Sequence, residues 1–142
     1  MGLQKGGATG LAPIRVLVVD DSYVIRGLLT RSLDSDPGIK VVATASNGKA
    51  AIDEVTRTEL EVVVLDIEMP VMDGFVVCEK LRKDDAVKHI PIVILTATNN
   101  PKLNEKAFKA GADIVTLKVL STERLANMIR LAIGKGKAAP PA

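Results

Sequence analysis

The chain has 142 residues, of which 47% are hydrophobic, 25% charged and 2% aromatic, with a formal net charge of +2. These values fit one globular domain with an aliphatic core; they exclude disorder along the whole chain and leave little room for a second catalytic or DNA-binding domain. The 19 basic and 17 acidic residues are interspersed, which argues against a nucleic-acid surface. Cys78, the single cysteine, lies among the apolar residues Phe75, Val76, Val77 and Leu81 and reads as a small buried hydrophobe. No apolar run approaches the roughly 20 residues that span a bilayer, and the opening MGLQKGGATGLAP lacks a signal-peptide core, so a cytoplasmic location without membrane insertion is expected.

Residues 1–12 read as a flexible N-terminal segment, because Gly and Lys there carry no apolar periodicity. Ile14 to Val19 is a continuous aliphatic strand. Ser22 can cap a first helix, with Val24, Ile25, Leu28, Leu29 and Leu33 as its apolar face, before Asp36, Pro37 and Gly38 stop it. Ile39 to Ala45 predicts the second strand, and Asn47 caps a helix that buries Ala51, Ile52 and Val55. Glu61 to Leu65 is the third strand, followed by a loop with Met69, Pro70, Asp73 and Gly74 and then a helix through Leu81. Pro91 opens the fourth strand, Pro101 fits the first turn of a fourth helix, and Gly111 ends it. Ile114 to Leu117 is the fifth strand, and Leu125, Met128, Ile129, Ala132 and Ile133 form the stripe of the last helix. The domain is expected over residues 13–134, with 135–142 as a flexible tail that includes Gly136 of the Gly134-Lys135-Gly136 stretch. Strands that are apolar throughout imply a sheet covered on both faces, hence an α/β domain with five parallel strands and five helices.

Five polar residues follow these strands: Asp20 and Asp21, Asp66, Thr96 and Lys118. An open α/β sheet builds its site at strand ends, so they can converge. Each has an ordinary explanation alone, as a cap, a loop hydroxyl or a solvated charge. Together they supply what phosphoryl transfer to a carboxylate requires. Clustered carboxylates repel unless a cation joins them, and magnesium favours a few carboxylates with waters and phosphate oxygens. One aspartate can then act as nucleophile, while a hydroxyl and an ammonium hold phosphoryl oxygens.

The motifs VLVVDDS (Val16 to Ser22), LDIEMPVMDG (Leu65 to Gly74), ILTAT (Ile94 to Thr98) and GADIVTLK (Gly111 to Lys118) resemble the receiver domains of bacterial two-component response regulators. The likeness covers about residues 14 to 134, and Ile14 to Gly74 is most similar to the receiver half of chemotaxis methylesterases. It implies a doubly wound, flavodoxin-like (βα)5 fold with strand order 2-1-3-4-5. It also implies Asp66 as phospho-acceptor, Asp21 as a direct magnesium ligand, Asp20 as a ligand through water, and the Glu68 carbonyl as a further ligand. Thr96 and Lys118 would contact the phosphoryl group, with Ala97 small enough to leave access. The implied donor is a sensor histidine kinase or a phosphotransfer protein, and the implied output is binding of a downstream protein.

The chain departs from the family pattern twice. Val115 stands where an aromatic residue usually answers movement of Thr96, and Val119 stands where a proline usually follows the lysine in a cis peptide. A cis bond before a non-proline residue costs about 2.5–4 kcal/mol, so Lys118-Val119 is expected to be trans. The fourth helix, with Lys102, Lys106 and Lys109, is then expected to carry the response. The favoured function is a stand-alone receiver that signals by protein interaction or phosphorelay and catalyses only its own phosphorylation and dephosphorylation. Alternatives are a receiver fragment of a larger regulator, a binding-only degenerate receiver, and an aspartyl-phosphate phosphatase of the haloacid dehalogenase type. The last expects Asp two residues after the nucleophile, where this chain has Glu68.

Overall fold

The computed structural model describes residues 12–69, 72–118 and 121–138. Elements alternate in chain order: β1 (Ile14–Val19), α1 (Tyr23–Asp34), β2 (Ile39–Ala45), α2 (Gly48–Arg57), β3 (Val62–Asp66), α3 (Gly74–Lys83), β4 (Ile92–Thr96), α4 (Pro101–Ala110), β5 (Ile114–Leu117) and α5 (Thr122–Ala138). All strand pairs are parallel and the sheet order is β2-β1-β3-β4-β5, the order implied by the family resemblance.

The apolar strands serve two cores. Leu17, Val19, Val63, Leu65, Ile92 and Ile94 meet Ala51, Val55, Val77, Cys78, Leu81 and Ala107 of α2, α3 and α4. Their alternate neighbours Val16, Val18, Val62, Val64, Val93 and Leu95 meet Leu29, Leu33, Leu125, Ile129 and Ala132 of α1 and α5. Successive strand residues point to opposite faces, so a sheet with helices on both sides has no polar face to present. That is why the strand runs lack alternation. The small aromatic content is compatible with such a core, because branched aliphatic side chains fill both layers.

Helix boundaries follow local chemistry. Ser22, Asn47, Asp73 and Asn100 each accept a hydrogen bond from a backbone N–H of the first helical turn. Asn100 is followed by Pro101 at the first helical position, where a missing N–H is harmless. Gly111 ends α4 with φ of 118°, a conformation that strains any side chain. A Cβ there would also meet Arg82, whose guanidinium bonds the Gly111 carbonyl and the Asp113 carboxylate.

Two expectations change. Val24 and Leu28, assigned to the buried face of α1, are exposed, whereas Leu29 and Leu33 are fully buried. The five apolar residues cover too wide an arc for one helix face, and the sheet takes only the part around Leu29 and Leu33. The last helix also runs past Gly134 to Ala138, where the sequence predicts a tail beginning. A Cβ at Gly134 would meet nothing within 4 Å, so no packing conflict stops the helix there, and the glycine itself costs about 1 kcal/mol relative to alanine. Of the expected flexible segments 1–12 and 135–142, residues 1–11 and 139–142 lie outside the described residues, as do Pro70 and Val119.

The α1 correction has a measurable consequence. Leu29→Ala should cost about 2–5 kcal/mol, whereas Val24→Ala should stay within about 0.5 kcal/mol. Urea unfolding distinguishes them; equal losses would restore Val24 to the core.

Candidate phosphoryl-acceptor pocket

Strand register assembles the pocket. Val19 of β1 lies opposite Leu65 of β3, so Asp20 and Asp66, the next residues, emerge side by side. Asp66 is level with Leu95 of β4, and Thr96 is level with Leu117 of β5, which brings Thr96 and Lys118 to the same rim. The Lys118 N–H then donates to the Thr96 carbonyl at 2.7 Å, tying the β4 and β5 ends together. These are the carboxyl ends of the strands, and β1 and β3 flank the point where the order reverses.

Several local contacts fix Asp20. Its backbone N–H donates to the Ala45 carbonyl at 3.1 Å, and the Arg26 guanidinium from α1 donates to the Asp20 carbonyl at 2.8 Å. Carboxylate oxygen Oδ1 accepts from the Ser22 N–H at 2.9 Å, just before Ser22 caps α1. Oδ2 is buried and, among the described residues, has no well-directed hydrogen-bond donor; its charge partner is Lys118 Nζ at 3.2 Å. Asp66 is 1% exposed, and its Oδ1 accepts from the Glu68 N–H at 3.2 Å and lies 3.2 Å from the same Lys118 ammonium. Gly74, the first residue of α3, packs directly on this strand end. A Cβ at Gly74 would stand 2.8 Å from both the Asp66 carbonyl and the Ile67 Cα, so only glycine lets α3 approach so closely.

Asp20, Asp21 and Asp66 can each place a carboxylate oxygen so that all lie within 4.8 Å of one another, with Asp21 exposed and the other two buried. Burial pushes the Asp66 carboxyl above its ordinary range and the Asp20 charge pushes it further, against the opposing pull of Lys118 and the Glu68 N–H. Burial by itself would lower Lys118, but the Asp66 and Asp20 charges outweigh it and hold the ammonium above its usual value. A buried carboxylate oxygen without a directed donor, inside a cluster of hard anionic oxygens, fits a divalent cation such as magnesium.

The remaining expected residues fall around this pocket. Thr96 is buried, and its hydroxyl donates to the Thr98 carbonyl at 3.1 Å and accepts from the Thr98 N–H at 3.3 Å, a local loop that a phosphoryl oxygen would have to compete with. Ala97 and the Glu68 side chain are exposed at the rim. Val115 is half-buried against the α2, α3 and α4 core. On α4, Lys106 lies over the Phe75 ring at 4.5 Å and Lys109 pairs with Glu105 at 3.5 Å, so both side chains have local partners. Sequence reasoning missed Arg26. Its hold on the Asp20 carbonyl depends on the turn from β1 into α1, and no motif marks a residue that binds backbone.

The family model described as the response regulator receiver domain matches residues 16–130. A protein-glutamate methylesterase/protein-glutamine glutaminase from Rhodospirillum centenum is 47% identical over 85% of this chain, and the match takes in 31% of that protein. The corresponding protein of Azospirillum brasilense is 42% identical over 84% of this chain and 30% of its own length, so the chain spans about a third of these curated relatives. Among solved structures, the response regulator domain of Thermotoga maritima CheB superposes with a TM-score of 0.77 at 27% identity, covering 86% of this chain and 97% of that one. Vibrio cholerae chemotaxis protein CheY4 gives 0.77 at 30% identity over 85% and 99%. The motifs, the sheet order and these likenesses agree, and the chain belongs to the response regulator receiver domains.

Proposed function

We propose that this domain accepts a phosphoryl group on Asp66 from a phosphohistidine donor, in a reaction that requires magnesium. The supporting observation is a buried carboxylate flanked by two further aspartates, with an ammonium and a hydroxyl on neighbouring strand ends. Asp21, Asp66 and the Glu68 carbonyl are the proposed direct metal ligands, with Asp20 acting through water. Bound there, magnesium would neutralise charge on the incoming phosphoryl oxygens and on the carboxylates.

The chain's own groups account for the rest. Asp66 presents a carboxylate oxygen to phosphorus; the O–P bond forms as the donor's P–N bond breaks, and the departing imidazole takes up a proton. Lys118 pairs with a phosphoryl oxygen, and the Thr96 hydroxyl exchanges its Thr98 carbonyl acceptor for another. Ala97 leaves the approach open. Val115 is branched at Cβ and has no polar atom, so it cannot swing and hydrogen-bond as an aromatic hydroxyl would. The Thr96 loop and α4 are therefore the proposed carriers of the signal to a downstream protein, by a shift of the whole segment.

The length of the relatives favours a second reading of context over a stand-alone regulator. The matched portion of the Rhodospirillum centenum protein is 31% of its length, which supports this chain being the receiver portion of a longer methylesterase-like regulator. Under either reading the pocket has the same role, and the proposed location is the cytoplasm, where a histidine kinase or phosphotransfer protein would meet it.

Acetyl phosphate with magnesium should label the wild-type protein, and chelation or Asp66→Asn should abolish labelling. Asp21→Ala should slow it by about 100-fold or more, as loss of a catalytic electrostatic partner does. Persistent labelling of Asp66→Asn would place the acceptor elsewhere, and steady hydrolysis of varied phosphomonoesters would favour a phosphatase.

The raised Asp66 carboxyl also predicts a pH dependence of stability without metal. Below the ordinary carboxylate range Asp66 is neutral both folded and unfolded, and the folded state bears no charge penalty there. As pH rises through the elevated folded value, the buried charge forms and stability is lost. Metal-free Asp66→Asn should therefore melt above wild type at pH 7, with the gap closing below about pH 4. A lower melting temperature for the variant at pH 7 would contradict the assignment.

A further inference from the structure

Arg26 lies in the first turn of α1, and its guanidinium turns back on the chain to donate to the Asp20 carbonyl at 2.8 Å. The same guanidinium stands over the exposed Tyr23 ring, 5.8 Å from its centroid, within the outer reach of a cation–π contact. The Asp20 carbonyl belongs to the peptide that joins the two aspartates at the end of β1. A peptide is planar, so fixing its carbonyl fixes its plane and with it the direction in which Asp21 leaves the strand. Asp20 is buried and its N–H and Oδ1 are bound to the Ala45 carbonyl and the Ser22 N–H. Asp21 is exposed, so packing does not set its carboxylate and the backbone must.

We propose that Arg26 is a positioning residue for the cation site: by holding the Asp20 carbonyl it presets the Asp20-Asp21 peptide in the orientation that offers both carboxylates to one divalent cation. This rests on the pocket being a magnesium site, as proposed above. Arg26 acts through the backbone and is not itself a ligand. Its charge works in the opposite sense, because a guanidinium near the site repels an incoming cation, so loss of the charge alone would tighten magnesium binding. Loss of the carbonyl contact frees the peptide and weakens binding. The two effects of one substitution therefore differ in sign, and the sign shows which of them governs the site.

The test is magnesium affinity, by calorimetry, for wild type, Arg26→Met and Arg31→Met, with urea unfolding of each. Arg31 is an exposed arginine of the same helix and controls for the general loss of one positive charge. Arg26→Met should bind magnesium about tenfold or more weakly, as loss of a group that orients a metal ligand does. Arg31→Met should stay within about twofold of wild type, because solvent and salt screen an exposed charge. Unchanged or tighter binding by Arg26→Met, whether or not it loses stability in urea, would leave Arg26 a structural residue only and overturn the proposal, as would equal weakening by both variants. Absence of binding by the wild type would overturn the magnesium pocket itself and this proposal with it. If Arg26→Met does not fold, the wild-type guanidinium decides the matter, because coupling is reciprocal and magnesium must strengthen a contact that favours its own binding. The Arg26 guanidinium protons, followed by NMR, should exchange with water more slowly as magnesium saturates the site; unchanged or faster exchange would refute the positioning role.

Discussion

The structure depends on keeping negative charge buried at the end of a parallel sheet. Asp20 and Asp66 are almost wholly withdrawn from water, on neighbouring strands, with one ammonium between them. Burial first, and then the neighbouring Asp20 charge, make the Asp66 charge costly despite the shared counter-ion, and the raised Asp66 carboxyl expresses that cost. The arrangement makes chemical sense if a divalent cation were to supply the positive charge that the three clustered carboxylates lack.

The surrounding fold holds this unfavourable group in place. Registers between β1 and β3 and between β4 and β5 set which residues are level at the rim. The two aliphatic cores lock those registers, since a slip by one residue would exchange the faces that α1 and α5 and the opposite three helices pack against. Arg26 and Ser22 on one side, and Gly74 on the other, close the turns that deliver Asp20 and Asp66. A rigid frame of this kind can store the electrostatic cost because its hydrophobic burial is large compared with it.

Much of this was legible in the sequence. Continuous apolar runs announced a doubly covered sheet, and Ser22, Asn47, Pro101 and Gly111 marked helix ends that the structure confirms. Convergence of Asp20, Asp21 and Asp66 followed from their places after strands, and the structure brings those three together. The limits were geometric. Val24 and Leu28 carry the same chemistry as Leu29 and Leu33, and only the width of the α1 contact with the sheet decides which are buried. Gly134 looked like a stop because glycine often is one, yet a helix end can pass through it when nothing packs there. The Arg26 hold on a backbone carbonyl and the double pairing of Lys118 depend on distances across the sheet, which no local pattern encodes.

The central claim is that Asp66 itself carries the phosphoryl group. Reductive trapping tests it directly: after treatment with a phosphodonor and magnesium, tritiated borohydride cleaves an acyl phosphate and leaves a labelled alcohol at the acceptor. Peptide mass spectrometry should place that conversion at Asp66 alone. Conversion at Asp20 or Asp21, or a phosphate that survives borohydride on a hydroxyl such as Thr96, would contradict the account.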